Sequence, residues 1–169
     1  MIKWVREVNP AAQISLEIEK VREHMDEAIG LVNWAIVSKE VSRDLGCETL
    51  EAALEFLAPK LESRNDLSPK LGLWEHGLVV TWGEQGAGYI ERGIKGLCPV
   101  EKIPEEDIVD SIGAGDTFTA VFVSLMADRF TCAGAVELAC QVAGEKLKQH
   151  GFEGLDSKIE PIFDILVNF

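Results

Sequence analysis

Short apolar runs alternate along the chain with longer segments in which apolar residues recur at helical spacing. The runs are too short for helices and predict buried strands at residues 34–37 and 78–82. At residues 14–18 apolar residues alternate with polar ones, which predicts a half-buried strand. The helical spacing predicts helices at residues 2–8, 25–29, 39–45, 50–61 and 117–127, and a last helix that carries Ala135, Leu138, Ala139 and Val142. Thr49 and Thr131 precede two of these helices and are expected to cap them. Strands that alternate with helices predict an α/β fold with a mainly parallel sheet flanked by helices.

Glycine and polar residues predict the connecting segments. Residues 62–76 are polar and irregular, which is typical of a surface loop. Glycines at positions 83, 86 and 88 are expected to break the third strand, and a hairpin is predicted from Tyr89 to Ile94. Ile108 and Val109 predict a further short strand that enters a glycine turn. No internal repeat or domain boundary is visible in the sequence, so one domain is expected.

Charge and composition exclude several classes of protein. Sixteen Lys and Arg against 29 Asp and Glu leave the 169 residues with a formal net charge of −13, which repels nucleic acid and anionic membranes. No apolar run has the length of a membrane span or a signal peptide. The four cysteines lack CxxC spacing, so reduced and mostly buried thiols are expected instead of a zinc site or a redox pair. A cytoplasmic protein with no nucleic acid and no membrane partner is predicted.

The stretch DSIGAGDTF, from Asp110 to Phe118, carries the strongest chemical signal. Gly113, Ala114 and Gly115 have no bulky side chains, so their amides can approach an anion at the positive end of the following helix. Asp116 lies on the first helical turn, where its carboxylate can accept the proton of a hydroxyl that attacks a γ-phosphoryl group. The alternative is an ordinary glycine turn in which Asp116 or the following threonine caps the helix.

A second glycine segment, VVTWGEQGAG, follows the third predicted strand. By itself this pattern fits a plain hairpin as well as a nucleotide-binding loop. Its glycines match neither GxxxxGK nor GxGxxG, so neither a Walker loop nor a Rossmann dinucleotide site is supported. Phosphate binding is therefore expected at the GAGD turn.

The string DSIGAGD resembles the DTxGAGD signature of the ribokinase/PfkB carbohydrate kinases, with Ser111 in place of threonine. The resemblance implies a ribokinase-like fold that lacks the N-terminal strands and the lid. It implies that Asp116 is the catalytic base and contacts the sugar substrate. It also implies that Gly113, Ala114 and Gly115 form the catalytic anion hole, with the two glycines contacting the nucleotide.

Other segments extend the resemblance and suggest further nucleotide contacts. VVTWGEQGAG is similar to the nucleotide-binding strand and loop of the family, which makes candidate ATP-site residues of Trp82, Gly83 and Gly86. Cys140 and Ala143 fall where family members flank the adenine pocket, although packing within an amphipathic helix explains them equally well.

The segments VSKEVSRDLG and ACQVAGEKLKQHGFEG are close to the ketohexokinase branch of the family. The NxxE motif, by which most members organise magnesium and phosphate, is absent, and Ser38 and Val41 stand at the matching positions. The metal site is therefore left open. Asp110 either anchors the glycine turn through hydrogen bonds or lies near a bound cation.

The resemblance implies ATP-dependent phosphorylation of a ketose, fructose to fructose 1-phosphate. ATP and Mg²⁺ are the implied cofactors, with K⁺ as a further cation, and a homodimer is implied for the full-length enzyme. Residues 1–169 correspond to the C-terminal nucleotide-binding and catalytic part of the ribokinase-like domain, and the sugar-binding residues are expected in a missing N-terminal part. Two alternatives stay open: a catalytically incompetent remnant that binds nucleotide or pairs with another subunit, and a kinase for another sugar or a nucleoside.

Overall fold

A computed structural model describes residues 1–62 and 76–160. The chain divides into two compact units: residues 1–83 with 87–97 form the first, and residues 84–86 with the chain from Cys98 onward form the second. The predicted loop at residues 62–76 lies almost wholly outside the described residues. One catalytic domain over residues 1–169 stays a prediction.

The first unit is built on a five-stranded sheet whose strands follow one another in chain order. The strands are β1 (Ser15–Ile18), β2 (Trp34–Val37), β3 (Gly77–Thr81), β4 (Ala87–Glu91) and β5 (Ile94–Cys98). The first three strands are parallel, and β4 runs antiparallel to β3. In the register of the sheet, Trp34 lies opposite both Ser15 and Gly77. The three predicted strands and the mixed, mostly parallel sheet are confirmed.

Four helices flank this sheet: α1 (Ile2–Val8), α2 (Met25–Leu31), α3 (Lys39–Asp44) and α4 (Leu50–Glu62). The apolar stripe of α4 packs on β3 and β4, and Leu54 and Leu57 are almost completely buried there. The cap predicted for this helix is confirmed, because Thr49 Oγ1 accepts the N–H of Ala52 at 3.1 Å.

The predicted hairpin is confirmed, but Gly88, which was predicted to break the third strand, has a different role. Gly88 does not break a strand, since it lies within β4 opposite Val80. A Cβ at this position would lie 2.7 Å from Leu54 Cδ1, so the close packing of α4 over β4 favours glycine there. Arg92 and Gly93 both have positive φ and form the two-residue turn between β4 and β5.

The second unit contains two packed helices, α5 (Ala114–Ala127) and α6 (Cys132–Leu147), and a helical segment at residues 155–160. Thr131 Oγ1 accepts the N–H of Gly134 at 3.2 Å, which confirms the predicted cap of α6. α5 begins three residues earlier than predicted and includes the last three residues of the GAGD turn. None of the helices within residues 1–62 and 76–160 is long and apolar enough to cross a membrane.

The strand predicted at Ile108 and Val109 is wrong. These residues lie outside the five strands of the described chain. The N–H groups of Val109 and Asp110 donate to the carbonyl of Leu147 at 2.8 and 3.2 Å. The segment is therefore bonded to the end of α6, where the last carbonyls of a helix lack partners within the helix.

Candidate active site

The turn before α5 depends on the backbone conformation of Gly113. This residue is the N-cap of α5 and has φ +82°, a left-handed conformation that glycine adopts without strain. A Cβ at Gly113 would also lie 2.6 Å from the Phe152 ring. Glycine is thus required here by the fold, whether or not a ligand binds.

Gly115 lies two residues further on and is not constrained by packing. It is exposed, its φ is not positive, and a Cβ built on it would meet no atom of the described residues within 4 Å. The first amides of a helix have no acceptor within the helix. The Ala114 N–H donates to the Ser111 carbonyl at 3.4 Å, and the Thr117 N–H donates to the Gly113 carbonyl at 2.9 Å. The space above Gly115 is therefore open to an anion at the positive end of α5.

The Asp116 side chain is exposed on the first turn of the same helix. Its carboxylate makes no hydrogen bond or ion pair with any residue of the described part of the chain. The alternative in which Asp116 or Thr117 caps the helix is wrong, because Gly113 is the N-cap and the Thr117 hydroxyl donates to its carbonyl at 2.8 Å. Asp116 is thus available to accept a proton from a bound hydroxyl.

Asp110 anchors the turn through three hydrogen bonds. Its Oδ1 accepts the N–H of Ile112 at 2.9 Å, and its Oδ2 accepts from Lys146 Nζ at 3.1 Å and from the N–H of Gly151 at 3.5 Å. The bond from Ile112, followed by that from Lys146, holds the pKa of Asp110 below its usual range. These contacts favour the anchoring role among the two considered for this residue.

Lys146 contacts the residue that anchors the turn, and the sequence reasoning missed it. Its side chain is fully buried, and Nζ donates to the Asp110 carbonyl at 3.2 Å, to the Asp110 carboxylate and to the Gln149 carbonyl at 3.3 Å. The Phe152 ring lies 5.7 Å from the ammonium. The available signal was a lysine four residues after Val142, on the apolar stripe of α6, where a charged residue needs a partner.

Gly86 and Cys140 are brought together at Cys98. Gly86 has φ +89°, and a Cβ on it would lie 2.0 Å from the Cys98 carbonyl oxygen. A hydrogen bond between the thiols of Cys98 and Cys140 lowers the pKa of Cys98 and raises that of Cys140. Ala143 is half-buried one turn further along α6. The four cysteines are free, and two of them, Cys98 and Cys140, are only half-buried. That Gly86, Cys140 and Ala143 contact a nucleotide stays a prediction.

The other two predicted nucleotide residues belong to the first unit. Trp82 is 2% exposed and packs in the apolar core, with the ammonium of Lys39 6.0 Å from its ring. Gly83 follows with φ +59°, and a Cβ added to it would meet no described atom within 4 Å. Their part in an ATP site stays a prediction, and the burial of Trp82 leaves little of its ring for a ligand.

The positions that replace the NxxE motif cap a helix. Ser38 is the N-cap of α3, and its Oγ accepts the N–H of Val41 at 3.3 Å. Neither residue offers a carboxylate. Within residues 1–62 and 76–160, no three His, Cys, Asp or Glu side chains cluster so as to hold a metal ion. The described residues therefore fit a magnesium ion only if nucleotide phosphates supply most of its ligands, which is the usual mode of binding for this ion.

Comparison with known proteins identifies relatives of this chain. The sequence profile of the pfkB family carbohydrate kinases matches residues 49–157, which include the whole GAGD turn. Ketohexokinase of Mus musculus is 31% identical over 144 residues, which are 85% of this chain and 44% of that protein. Ribokinase of Bacillus subtilis (strain 168) is 30% identical over 125 residues, 70% of this chain and 41% of that protein. The chain thus spans less than half the length of these relatives.

The fold is similar to solved ribokinase structures. The structure of Arabidopsis thaliana ribokinase complexed with ribose and ATP aligns with a TM-score of 0.66 and 22% identity, and the alignment covers 89% of this chain and 45% of that chain. This likeness confirms the predicted ribokinase-like fold. Together with the family profile over residues 49–157, it shows that the chain belongs to the pfkB family of carbohydrate kinases.

Proposed function

We propose that the chain is the nucleotide-binding and catalytic part of a kinase that transfers the γ-phosphoryl group of ATP to a ketose, converting fructose to fructose 1-phosphate. Asp116 accepts the proton of the attacking hydroxyl. The first amides of α5, at Gly113, Ala114 and Gly115, form the anion hole for the transferred group. Mg²⁺ held by the nucleotide phosphates would neutralise the charge that develops on them.

The observation that carries this proposal is the exposed carboxylate of Asp116, unpaired within the described residues, beside the open space above Gly115. No described residue donates to this carboxylate, so both of its oxygens can accept the proton of a bound hydroxyl. The amides of a helix N-terminus are fixed by the backbone, so they stabilise a developing negative charge without reorganising. Base and anion hole lie on one helical turn and can reach the same reacting atoms.

A ketose is favoured as the acceptor because the match to ketohexokinase covers 85% of the chain and the match to ribokinase covers 70%. The two identities differ by one percentage point, so the acceptor needs a direct test. The chain at hand should be assayed for ADP release with fructose, ribose and adenosine in parallel. Release with fructose at a rate well above the other two supports the ketose, and a preference for ribose or adenosine would assign another acceptor.

The base is tested by Asp116→Asn. We expect turnover to fall by roughly 100- to 10,000-fold, while the affinity for ATP measured by calorimetry stays within about twofold, because the anion hole consists of backbone amides. Asp128→Asn is the matched control, since Asp128 is an exposed aspartate at the other end of α5. Near wild-type turnover in Asp116→Asn would show that another group is the base.

A second candidate function is a nucleotide-binding module that does not turn over substrate by itself. The observation that favours it is the coverage of 44% of mouse ketohexokinase, because orienting the acceptor hydroxyl supplies a large part of the rate. Wild-type chain that binds ATP in calorimetry but releases no ADP with any of the three acceptors would show that the chain by itself is a nucleotide-binding module.

A further inference from the structure

We propose that Lys146 is a built-in monovalent cation that positions the anion-binding turn before α5, so that nucleotide binding at this turn needs no potassium ion. Only the statement about nucleotide binding rests on the proposed function; the positioning of the turn by Lys146 does not. Lys146 is a positioning residue, because it acts on the turn through Asp110.

The surroundings of the ammonium resemble those of a coordinated ion. Nζ lies 3.1 to 3.3 Å from three oxygens: the carboxylate and carbonyl of Asp110 and the carbonyl of Gln149. An ammonium has three N–H donors, so these three acceptors satisfy it completely. The Phe152 ring lies 5.7 Å away and adds a further favourable contact.

The burial of the two charged groups is unequal. The Lys146 side chain is 0% exposed, whereas the Asp110 side chain is 20% exposed. A carboxylate with that exposure is still hydrated and does not need a buried partner to stay ionised. The ammonium of Lys146 is therefore the enclosed partner. This is the arrangement expected if the site is built to hold a cation among these oxygens.

The ammonium is connected to the proposed anion hole by short bonds. Asp110 uses one carboxylate oxygen for Lys146 and the other for the N–H of Ile112, the residue before Gly113. The carbonyl of Leu147, the residue after the lysine, holds the N–H groups of Val109 and Asp110. The end of α6 thereby fixes the backbone from which the amides of α5 project.

This arrangement does not fit an added potassium ion at Asp110, although the family resemblance implies K⁺ as a further cation. Nζ already lies within 3.2 Å of both the carbonyl and the carboxylate of Asp110. Potassium and ammonium ions carry the same charge and are close in size. A second cation at these oxygens would be repelled at short range in a poorly solvated site.

The experiment compares potassium with tetramethylammonium, which is too large for the site, each at about 0.1 M so that general screening is equal. Two quantities are measured on the chain: the thermal unfolding midpoint without nucleotide, and the affinity for ATP by calorimetry. For the wild-type chain we expect the midpoint to agree within about 1 °C and the affinity within about twofold between the two salts.

Lys146→Met removes the ammonium and keeps most of the apolar stem. In tetramethylammonium we expect a lower midpoint and an affinity for ATP weaker by about tenfold or more. Potassium or ammonium ions should restore a large part of both losses, because they can enter the vacated position. Lys148→Met is the matched control on the same helix, since Lys148 is exposed and paired only with Glu145 at 2.6 Å among the described residues, and it should show no dependence on the cation.

A wild-type chain whose midpoint or ATP affinity requires potassium would overturn the inference. So would a folded Lys146→Met chain that neither ion rescues, because the lysine would then act through packing alone. If Lys146→Met does not fold in any salt, Lys146→Gln is measured in the same way, and its failure to respond to potassium also overturns the inference. A wild-type chain that binds no ATP in either salt removes the proposed function, and the unfolding midpoints still decide the role of Lys146.

Discussion

Gly115→Ala separates the structural role of a glycine in the GAGD turn from its role towards a ligand. The structure predicts effects of opposite sign on stability and on nucleotide affinity. Gly115 lies within the first turn of α5, has no positive φ, and has no described atom within 4 Å of the position that a methyl group would take. Alanine therefore fits the free protein without displacing any described residue.

The effect on stability follows from helix propensity. Alanine is preferred to glycine within a helix by about 0.5–1 kcal/mol, because glycine loses more backbone entropy on folding. For a chain of 169 residues, this free energy corresponds to an increase of roughly 1–4 °C in the unfolding midpoint. The lower end is expected, since Gly115 is only the second residue of α5.

The effect on binding follows from the same open space. If the proposed anion site is correct, we expect a methyl group above Gly115 to crowd the phosphate oxygen that accepts the N–H of this residue. Losing one hydrogen bond to a charged acceptor costs about 1.5–3 kcal/mol, which corresponds to an affinity for ATP weaker by roughly 10- to 150-fold. The unfolding midpoint by differential scanning calorimetry and the affinity by titration calorimetry measure the two effects on one preparation.

Gly113→Ala is the matched comparison, since it alters the other glycine of the motif. It should lower both stability and affinity, because alanine is strained at φ +82° and its methyl group would meet the Phe152 ring at 2.6 Å. An affinity for ATP in Gly115→Ala equal to that of the wild-type chain would refute the location of the anion site above Gly115. An unfolding midpoint of Gly115→Ala below that of the wild-type chain would contradict the observation that the space above Gly115 is open.

Three further outcomes are expected from the second unit. Asp110 has a lowered pKa, so its contribution to stability is complete above its pKa in the unfolded chain, near 4, and is lost as pH falls through the lower pKa of the folded chain. In Asp110→Asn the unfolding midpoint should therefore depend less on pH between about pH 5 and pH 2 than in the wild-type chain. Gly86→Ala should lower the midpoint by several degrees, because its Cβ would lie 2.0 Å from the Cys98 carbonyl at a φ of +89°, and an unchanged midpoint would contradict that contact. The lowered pKa of Cys98 predicts that iodoacetamide alkylates it first among the four cysteines and more slowly in Cys140→Ala, as peptide mapping would show.

Local signals predicted most of the helices and strands. The cap residues Thr49 and Thr131 marked helix starts correctly, because a side-chain cap acts within three residues of the chain. The continuous apolar runs of β2 and β3 identified buried parallel strands, because a strand that is buried on both faces has no polar positions.

The errors come from contacts between distant residues. Gly88 looked like a strand breaker, but glycine is favoured there by the packing of Leu54, 34 positions away. Val109 looked like a strand residue, but its N–H is held by the end of α6. Lys146 was missed because two of its three acceptors belong to Asp110, which only the fold brings to α6.

The two glycines of the GAGD turn therefore have different physical reasons to be glycine. Gly113 is required by a left-handed backbone conformation and by the Phe152 ring, and both constraints hold in the absence of any ligand. Gly115 satisfies no constraint that the described residues impose, and it even costs helix stability. This residue is unfavourable for the fold and lies at a helix N-terminus beside a carboxylate that no described residue pairs, which is the arrangement expected if the proposed anion approaches it. For this reason, Gly115 is the better point at which to test the nucleotide site, and substitutions at Gly113 report mainly on the fold.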